Sequence, residues 1–208
     1  MVKCLIGIPS IRDIPDFKEA IDKIPCDKLW IKYHREREAY RVMRKMFLGT
    51  KSYDYLIICP DDLIVTPKDY EILYNDVKEF DFPVIGGIFN ISYDNRDSYA
   101  AARELVPYIP LTPQELFTGD PIKFVASDQF AFTFVRRDVV KMIEFHSKRY
   151  SSTAFDQAFA LECDDHVIPK RIDVRANMLH LANRKGNGQF EYSGLGVKRP
   201  TMIFQPFP

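Results

Sequence analysis

The chain has 208 residues, of which 46% are hydrophobic and 28% charged, so it can bury a sizeable core and fold. Its formal net charge is zero and its pI is about 6.9, which excludes a global field that attracts nucleic acid or anionic lipid. No apolar stretch reaches the roughly 18 residues of a transmembrane helix, and the N-terminal apolar run is too short for a signal peptide. We therefore expect a soluble protein with no nucleic-acid partner and no transmembrane segment.

Strands and helices alternate in the predicted first half. Short apolar runs at residues 2–8, 28–33, 55–59 and 83–88 predict strands. Between them, apolar residues recur at spacings of three and four, which predicts helices near residues 14–24, 39–47 and 68–80. This alternation, with strands that are apolar throughout, is typical of a parallel sheet covered on both faces. The sequence predicts an α/β fold.

The second half has a less regular pattern. Residues 92–122 contain four prolines and predict a long irregular excursion over one face of the domain. Strand character returns at 124–135 and 171–176, with helices expected near 137–145 and 153–161. From residue 182 the chain is glycine-rich and basic, so residues 182–208 are expected to form a mobile tail.

The four cysteines show no paired CxxC spacing. Two of them lie inside apolar strand-like runs, where a thiol acts as a small buried hydrophobic group. This usage is typical of a reducing compartment, so we expect a cytoplasmic protein without a zinc site. The cysteines are Cys4, Cys26, Cys59 and Cys163.

Two adjacent acids follow the third predicted strand. Ligands of parallel α/β sheets bind at the carboxyl ends of the strands, where Ser10, Asp61 and Asp62 are all expected. Strand-end carboxylates can hold Mg²⁺ or Mn²⁺ when a diphosphate and water complete the coordination. Alternatively, the two acids belong to a solvated turn or cap the following helix, and they then have no role in binding or catalysis.

Five segments, in order, resemble the glycosyltransferases of the GT-A fold, most closely their family 2. They span roughly residues 3–181 and are CLIGIPSIRD, YDYLIICPDDLIVTP, PVIGGIFN, FAFTFVRRDVVKMI and STAFDQAFALECDDHVIPKRIDVRANMLHL. The resemblance implies a GT-A (Rossmann-like) fold with a mainly parallel central sheet flanked by helices on both faces. It also implies one domain over residues 1–208, with a nucleotide-binding half at 1–90 and an acceptor half at 91–181.

The resemblance implies roles at the reacting end of the site. Asp62 matches the last acid of a DxD motif and His180 the late histidine, so both would bind Mn²⁺ or Mg²⁺. Asp156 matches the base that deprotonates the acceptor hydroxyl in inverting members. The implied activity is metal-dependent transfer of a sugar from a nucleotide-diphosphate donor to an acceptor hydroxyl with inversion. The acceptor, whether a sugar, a protein or a lipid, stays open.

Other residues are expected to contact the donor. By the resemblance, Pro9 and Ser10 would line the nucleotide base, and Asp61 would lie near the ribose or the donor sugar. Arg184 and Lys185, in the glycine-bearing tail, would close over the diphosphate. The pattern departs from the family at two places: Pro60 replaces the first acid of the motif, and the second strand is followed by KYHRER rather than by an acid.

Two alternatives remain open at this stage. A GT-A-like chain could serve as a non-catalytic nucleotide-binding or structural module, with Pro60 marking a lost activity. A Mg²⁺-dependent nuclease is the other, because Pro60 and Asp61 with Asp76 and Lys78 form a loose PD-(D/E)xK pattern. That pattern requires Asp76 on a strand, whereas its surroundings have helical spacing.

Overall fold

Apolar strands alternate with amphipathic helices in the first half of the chain. The computed structural model describes residues 2–10, 12–91, 99–145, 148–150, 153–181 and 201–207. The first-half strands are β1 (Cys4–Ser10), β2 (Asp27–Lys32), β3 (Tyr55–Ile58), β4 (Leu63–Ile64) and β5 (Val84–Phe89). The first-half helices are α1 (Pro15–Asp22), α2 (Glu36–Gly49) and α3 (Pro67–Phe80).

The second half adds further strands and three more helices. Its strands are β6 (Ala102–Leu105), β7 (Tyr108–Pro110), β8 (Ile122–Val125), β9 (Thr133–Arg136), β10 (Lys170–His180) and β11 (Thr201–Gln205). Its helices are α4 (Pro113–Phe117), α5 (Arg137–Met142) and α6 (Phe155–Asp165), with a 3₁₀ turn at Lys148–Tyr150. Within the described ranges, no helix combines the length and apolarity needed to cross a membrane.

One large sheet organises the domain. Its strand order is β11-β2-β1-β3-β9-β5-β10-β4, and β8 pairs with β10. Strands β2, β1 and β3 are mutually parallel, as are β5 and β10, while β9 runs antiparallel between β3 and β5. The expected α/β fold with a mainly parallel central sheet is confirmed.

Helices cover both faces of this sheet. Because alternate residues of a strand point to opposite faces, Leu5 and Ile6 of β1 belong to different apolar clusters. Ile6 packs in the cluster that contains Phe17 of α1 and Leu73 of α3. Leu5 packs in the cluster that contains Met43 of α2, together with side chains of α5 and α6. The predicted two-sided burial is therefore present.

The excursion expected at 92–122 is more ordered than predicted. Strands β6 and β7 form an antiparallel hairpin, and α4 follows it. Thr112 and Glu115 form a capping box, and Pro113 takes the first helical position, where a missing N–H costs nothing. Of the four prolines that suggested irregular chain, Pro113 begins a helix, Pro110 ends a strand, Pro107 lies in the hairpin turn and Pro121 precedes β8. Residues 92–98 lie outside the described part of the chain.

The continuous strand expected at 124–135 is wrong. Strand β8 ends at Val125, β9 begins at Thr133, and the intervening loop has positive φ at Gln129, Phe130 and Phe132. Left-handed backbone cannot continue a strand, so the run breaks in spite of its apolar residues. The same loop places Phe130 in a cleft at the carboxyl ends of β1, β2 and β3.

The tail prediction is wrong for its last residues. Thr201–Gln205 pairs antiparallel with β2 and extends the sheet at that edge. The indole Nε1 of Trp30 donates a hydrogen bond to Oε1 of Gln205 at 3.1 Å, which ties the two strands by their side chains as well. The basic, glycine-rich part at 182–200 lies outside the described residues.

Candidate active site

A cleft of about 760 Å³ opens at the carboxyl ends of β1, β2 and β3. It is lined by the loops that follow these strands, by the end of β10 and by the start of α6. The structure brings together in this cleft every predicted site residue that it describes, namely Pro9, Ser10, Asp61, Asp62, Asp156 and His180. Arg184 and Lys185 lie outside the described residues.

The pairing of β4 with β10 positions His180 beside Asp62. In this antiparallel pair His180 lies opposite Leu63, and the N–H of Leu181 donates to the carbonyl of Asp62 at 2.8 Å. Nε2 of His180 is consequently 3.5 Å from Oδ2 of Asp62. The imidazole also packs on the ring of Phe89, with a centroid separation of 4.9 Å. The register of the β4–β10 pair therefore determines the contact between His180 and Asp62.

Arg12, which the sequence analysis did not single out, lies against both acids. Its Nε donates to Oδ1 of Asp61 at 2.9 Å and its backbone N–H to Oδ2 at 3.1 Å. Its Nη2 also donates to Oδ1 of Asp61 and lies 3.1 Å from Oδ2 of Asp62. A fork of parallel donors is the strongest way to pair a guanidinium with carboxylates. This cation is what makes two adjacent acids tolerable at the end of a buried strand.

The two carboxyls differ in electrostatics. Burial raises the pKa of Asp61 above its usual value, and the hydrogen bonds and charge of Arg12 limit the rise. Burial also acts on Asp62, but the hydrogen bond with His180 and the charge of Arg12 outweigh it and lower the pKa. Asp62 is therefore ionised at neutral pH and presents a negative oxygen to the cleft.

Asp62 and His180 fit a divalent-metal site as two of its ligands. A carboxylate oxygen and an imidazole nitrogen suit Mn²⁺, and donor atoms 3.5 Å apart are at a separation that ligands of one ion adopt. Nδ1 of His180 is buried and has no hydrogen-bond partner among the described residues, and Nε2 is the nitrogen that faces the Asp62 carboxylate. Among the described residues there is no group of three or more His, Cys, Asp and Glu that could hold a metal. Diphosphate oxygens and water would have to complete the shell.

Asp156 lines the cleft next to Phe155. It is in the first turn of α6, which begins after Ala154. Burial raises its pKa, and hydrogen bonds from backbone N–H groups of the helix start partly oppose this. A raised carboxyl pKa increases basicity, which suits a group that takes a proton from a hydroxyl. Asp156 lines the same cleft as Asp62 and His180, and its role as the base stays a prediction.

A stack of aromatic rings forms the floor of the cleft. Tyr40 of α2 stacks on Phe155 with centroids 4.8 Å apart and on Phe130 with centroids 5.3 Å apart. Behind Phe130, the buried Asp128 accepts hydrogen bonds from the backbone N–H of Phe130 and from the hydroxyl of Thr133. Burial raises the pKa of Asp128 to about 6. Sequence reasoning missed this floor, because the positive φ of Phe130 cannot be read from residue types.

The wall nearest β1 and β2 is where the resemblance places the nucleotide base. Ser10 and Tyr33 are joined by a backbone hydrogen bond of 2.8 Å, which holds the two strand-end loops together. The Ser10 hydroxyl donates to the carbonyl of Arg12 at 2.7 Å. His34 and Arg35 occupy the place where an acid was expected, and within the described part of the chain Nδ1 of His34 is buried without a hydrogen-bond partner.

The alternative nuclease site is not assembled. Asp76 and Lys78 lie within α3 rather than on a strand, and the carboxylate of Asp76 faces Arg175 of β10 at 3.4 Å. Neither residue lines the cleft that contains Asp61. The PD-(D/E)xK pattern in the sequence therefore has no structural counterpart here.

Comparison with known proteins supports the fold and little beyond it. No family model and no curated protein matches the chain. A197 from STIV is similar over 83% of this chain and 82% of that one, with 16% identity and a TM-score of 0.62. Glucosyl-3-phosphoglycerate synthase from Mycobacterium tuberculosis is similar over 99% and 90%, with 12% identity and a TM-score of 0.54.

A third similar structure is TarS 1-349 from S. aureus. This chain is 10% identical to it with a TM-score of 0.52, and the match covers 88% of this chain and 61% of that one. Structural matches at identities this low are evidence for a shared fold, and they carry no evidence about the reaction. Together with the strand order and the cleft at the strand ends, they show that the chain has the GT-A glycosyltransferase fold.

Proposed function

We propose that this protein is a metal-dependent glycosyltransferase that moves a sugar from a nucleotide-diphosphate donor to an acceptor hydroxyl. The observation that carries the proposal is the convergence of Asp62 and His180 in a cleft that also contains Asp156. A metal-binding pair and a carboxylate base in one cleft would provide charge neutralisation on the leaving group and a proton acceptor for the incoming hydroxyl, which metal-dependent transfer with inversion needs. The fold supports the proposal because ligands of such sheets bind at the same strand ends.

Asp62 and His180 would hold Mn²⁺ or Mg²⁺. When bound, the ion neutralises charge on the departing diphosphate. The mycobacterial synthase has been crystallised with Mn²⁺, uridine diphosphate and phosphoglyceric acid, and also with Mg²⁺ and uridine diphosphate. Those ligands belong to that protein, and they support the choice of probes for this one.

Asp156 would accept the proton of the acceptor hydroxyl. In a single displacement, the hydroxyl oxygen forms a bond to the anomeric carbon as the bond to the diphosphate breaks, and the proton passes to the Asp156 carboxylate. This step inverts the anomeric centre. The burial that raises the pKa of Asp156 strengthens it as a base, and the open cleft gives an acceptor access to it.

The remaining predicted contacts would serve the donor. Pro9 and Ser10, which line the cleft, would contact the base, and Asp61 is buried with both carboxylate oxygens bound by Arg12. Arg184 and Lys185 are proposed to meet the diphosphate from the tail. We further propose a cytoplasmic location, because Cys4, Cys26, Cys59 and Cys163 are all free and buried. The acceptor is proposed only as a hydroxyl of a sugar, protein or lipid.

Isothermal titration calorimetry with a panel of UDP- and GDP-sugars, each with Mn²⁺, Mg²⁺ or EDTA, tests the function. We expect one donor to bind only with metal and to be hydrolysed slowly without acceptor. Asp62→Asn should abolish the metal-dependent binding, whereas Glu71→Gln, on the exposed face of α3, should bind as wild type does. Metal-dependent binding without any hydrolysis or transfer favours the non-catalytic module, and no binding of any donor contradicts both.

A further inference from the structure

We propose that Arg12 is a resident counter-cation of the metal site, which the nucleotide diphosphate draws away from Asp62 so that metal and nucleotide bind synergistically. This inference rests on the proposed function of the same cleft. It adds a role for a residue that neither the resemblance nor the comparisons assign.

The first step is geometric. Oδ2 of Asp62 faces two groups in the described structure, Nη2 of Arg12 at 3.1 Å and Nε2 of His180 at 3.5 Å. An ion bound between Asp62 and His180 must share this oxygen with Arg12 or take it from Arg12. The guanidinium therefore competes for the oxygen on which a divalent ion depends.

The second step is electrostatic. The side chains of Arg12 and Asp61 are 17% and 3% exposed, so water screens their charges weakly. A divalent ion that enters while Arg12 stays in place meets a cation at close range, which costs free energy in such surroundings. Without a nucleotide, the metal should accordingly bind weakly.

The third step is the exchange of partners. A guanidinium pairs with phosphate as well as with carboxylate, and it presents several donors at once. The planar guanidinium can pivot as one unit about Oδ1 of Asp61, which accepts from both Nε and Nη2, so that Nη2 exchanges Asp62 for a phosphate oxygen while Arg12 stays bonded to Asp61. Room is present on its other side, because Arg12 also lines a second cavity of about 360 Å³ with Ile14 and Trp30.

The fourth step follows from linkage. If the nucleotide removes Arg12 from Asp62, it strengthens metal binding, and by reciprocity the metal strengthens nucleotide binding by the same factor. Direct coordination of phosphate by the metal adds its own coupling. The contribution of Arg12 to the coupling between metal and nucleotide binding is the contribution that is lost when its guanidinium is removed.

Titration calorimetry on four forms of the protein measures the contribution of Arg12 to this coupling. The forms are wild type, Arg12→Gln, Arg12→Lys and Lys23→Gln, the last an exposed residue of the turn after α1. Each is titrated with Mn²⁺ alone, with UDP or GDP in EDTA, and with Mn²⁺ in saturating nucleotide. Circular dichroism and thermal melting confirm that each form is folded.

We expect Mn²⁺ alone to bind Arg12→Gln at least tenfold more tightly than wild type, and the coupling between Mn²⁺ and nucleotide to fall at least tenfold. Arg12→Lys keeps the charge that Asp61 needs but loses the fork that reaches Asp62, so it should change in the same direction while remaining folded. Lys23→Gln should match wild type.

Unchanged or weaker binding of Mn²⁺ alone in both Arg12 variants overturns the inference and leaves Arg12 as a structural clamp on the acids. Unchanged coupling in both variants overturns it as well. Failure of the proposed function gives a different result, because no form of the protein would then bind any nucleotide. The affinity of the Arg12 variants for Mn²⁺ alone would still show whether Arg12 competes with the metal for Asp62.

Discussion

Nε2 of His180 lies 3.5 Å from Oδ2 of Asp62 because β10 pairs antiparallel with the short strand β4 directly after the acid pair. The backbone hydrogen bond from Leu181 to the carbonyl of Asp62 closes this arrangement. A contact that depends on strand register persists in the absence of ligand. The proposed metal ligands are thus preorganised, and metal binding need not pay for bringing them together.

His180→Ala should weaken Mn²⁺ binding by about 100-fold or more, because loss of a direct ligand exceeds the 10–100-fold typical of an outer-shell change. Mn²⁺ affinity is measured by calorimetry in saturating nucleotide. His166→Ala is the matched control, since His166 is exposed at the end of α6 and does not line the cleft. Equal affinities of the two variants would remove His180 from the metal site.

Asp156→Asn should keep donor and metal affinity and lower transfer by about 10²–10⁴, the usual contribution of a general base. An amide is nearly the same size as the carboxyl, but it cannot accept the proton. Donor binding is measured by calorimetry and transfer by product formation under donor saturation. Full transfer activity in this variant would show that another group is the base.

The pH profile of transfer gives a second reading of Asp156. A base must be ionised to act, so the rate falls as the pH drops through its pKa. Burial raises the pKa of Asp156, and the acidic limb of kcat/KM should therefore lie at a higher pH than an ordinary aspartate gives. The Asp156→Asn variant should lack this limb. A limb retained in that variant would assign it to a different group.

The resemblance to GT-A glycosyltransferases was needed to predict Asp156 and His180 as residues of the site. Periodicity and strand-end logic predicted the α/β sheet and the position of Asp62 at its carboxyl edge. Both depend on short-range apolar patterns and on the rule that parallel strands present their carboxyl ends together. The predictions that were wrong concern features that depend on long-range contacts. The break before β9 depends on left-handed residues such as Phe130, and the edge strand β11 gains stability only from pairing with β2.

Arg12 shows why the site itself was only partly predictable. Its sequence position after β1 gave it no chemical signature, and its partner Asp61 follows two strands later in the chain. Burial of Asp61 is what makes a nearby cation necessary, and burial of a loop residue cannot be read from composition. Two acids at the end of an apolar strand were a usable signal that a cation must lie close by.

Asp76 of α3, which lies beside Asp173 of β10, makes stability depend on pH away from the cleft. Both are buried, and Arg175 contacts the two carboxylates at 3.4 and 2.9 Å, respectively. Burial, then the neighbouring Asp173 and to a lesser degree Glu79, raise the pKa of Asp76 to about 7 in spite of Arg175. Folded protein therefore holds a proton that the unfolded chain releases near pH 4.

This contribution to stability is complete below about pH 4 and is lost as the pH rises through about 7. Asp76→Asn removes the loss, so its stability relative to wild type should increase by about 1–2 kcal/mol between pH 5 and pH 8. Urea unfolding at the two pH values measures this. Glu71→Gln, on the exposed side of the same helix, should follow wild type at both. Parallel pH profiles of Asp76→Asn and wild type would contradict the assignment.

Gly86 of β5 is where the sheet meets the loop that carries Phe130. A Cβ at this position would lie 2.2 Å from Oδ2 of the buried Asp128 and 3.2 Å from the carbonyl of Ala131. Gly86→Ala should therefore destabilise the fold by about 1–3 kcal/mol, as overpacking does. Because Asp128 holds the backbone of Phe130, the variant should also bind nucleotide more weakly.

The matched control is Gly49→Ala at the end of α2, where an added Cβ meets nothing within 4 Å. Alanine favours helix over glycine, so this variant should be as stable as wild type or more stable by up to about 1 kcal/mol. Urea unfolding and nucleotide titration on both variants separate packing at β5 from a general effect of replacing glycine. If Gly86→Ala were as stable as Gly49→Ala, Asp128 would have room to move, and the floor of the cleft would be less tightly held than its contacts indicate.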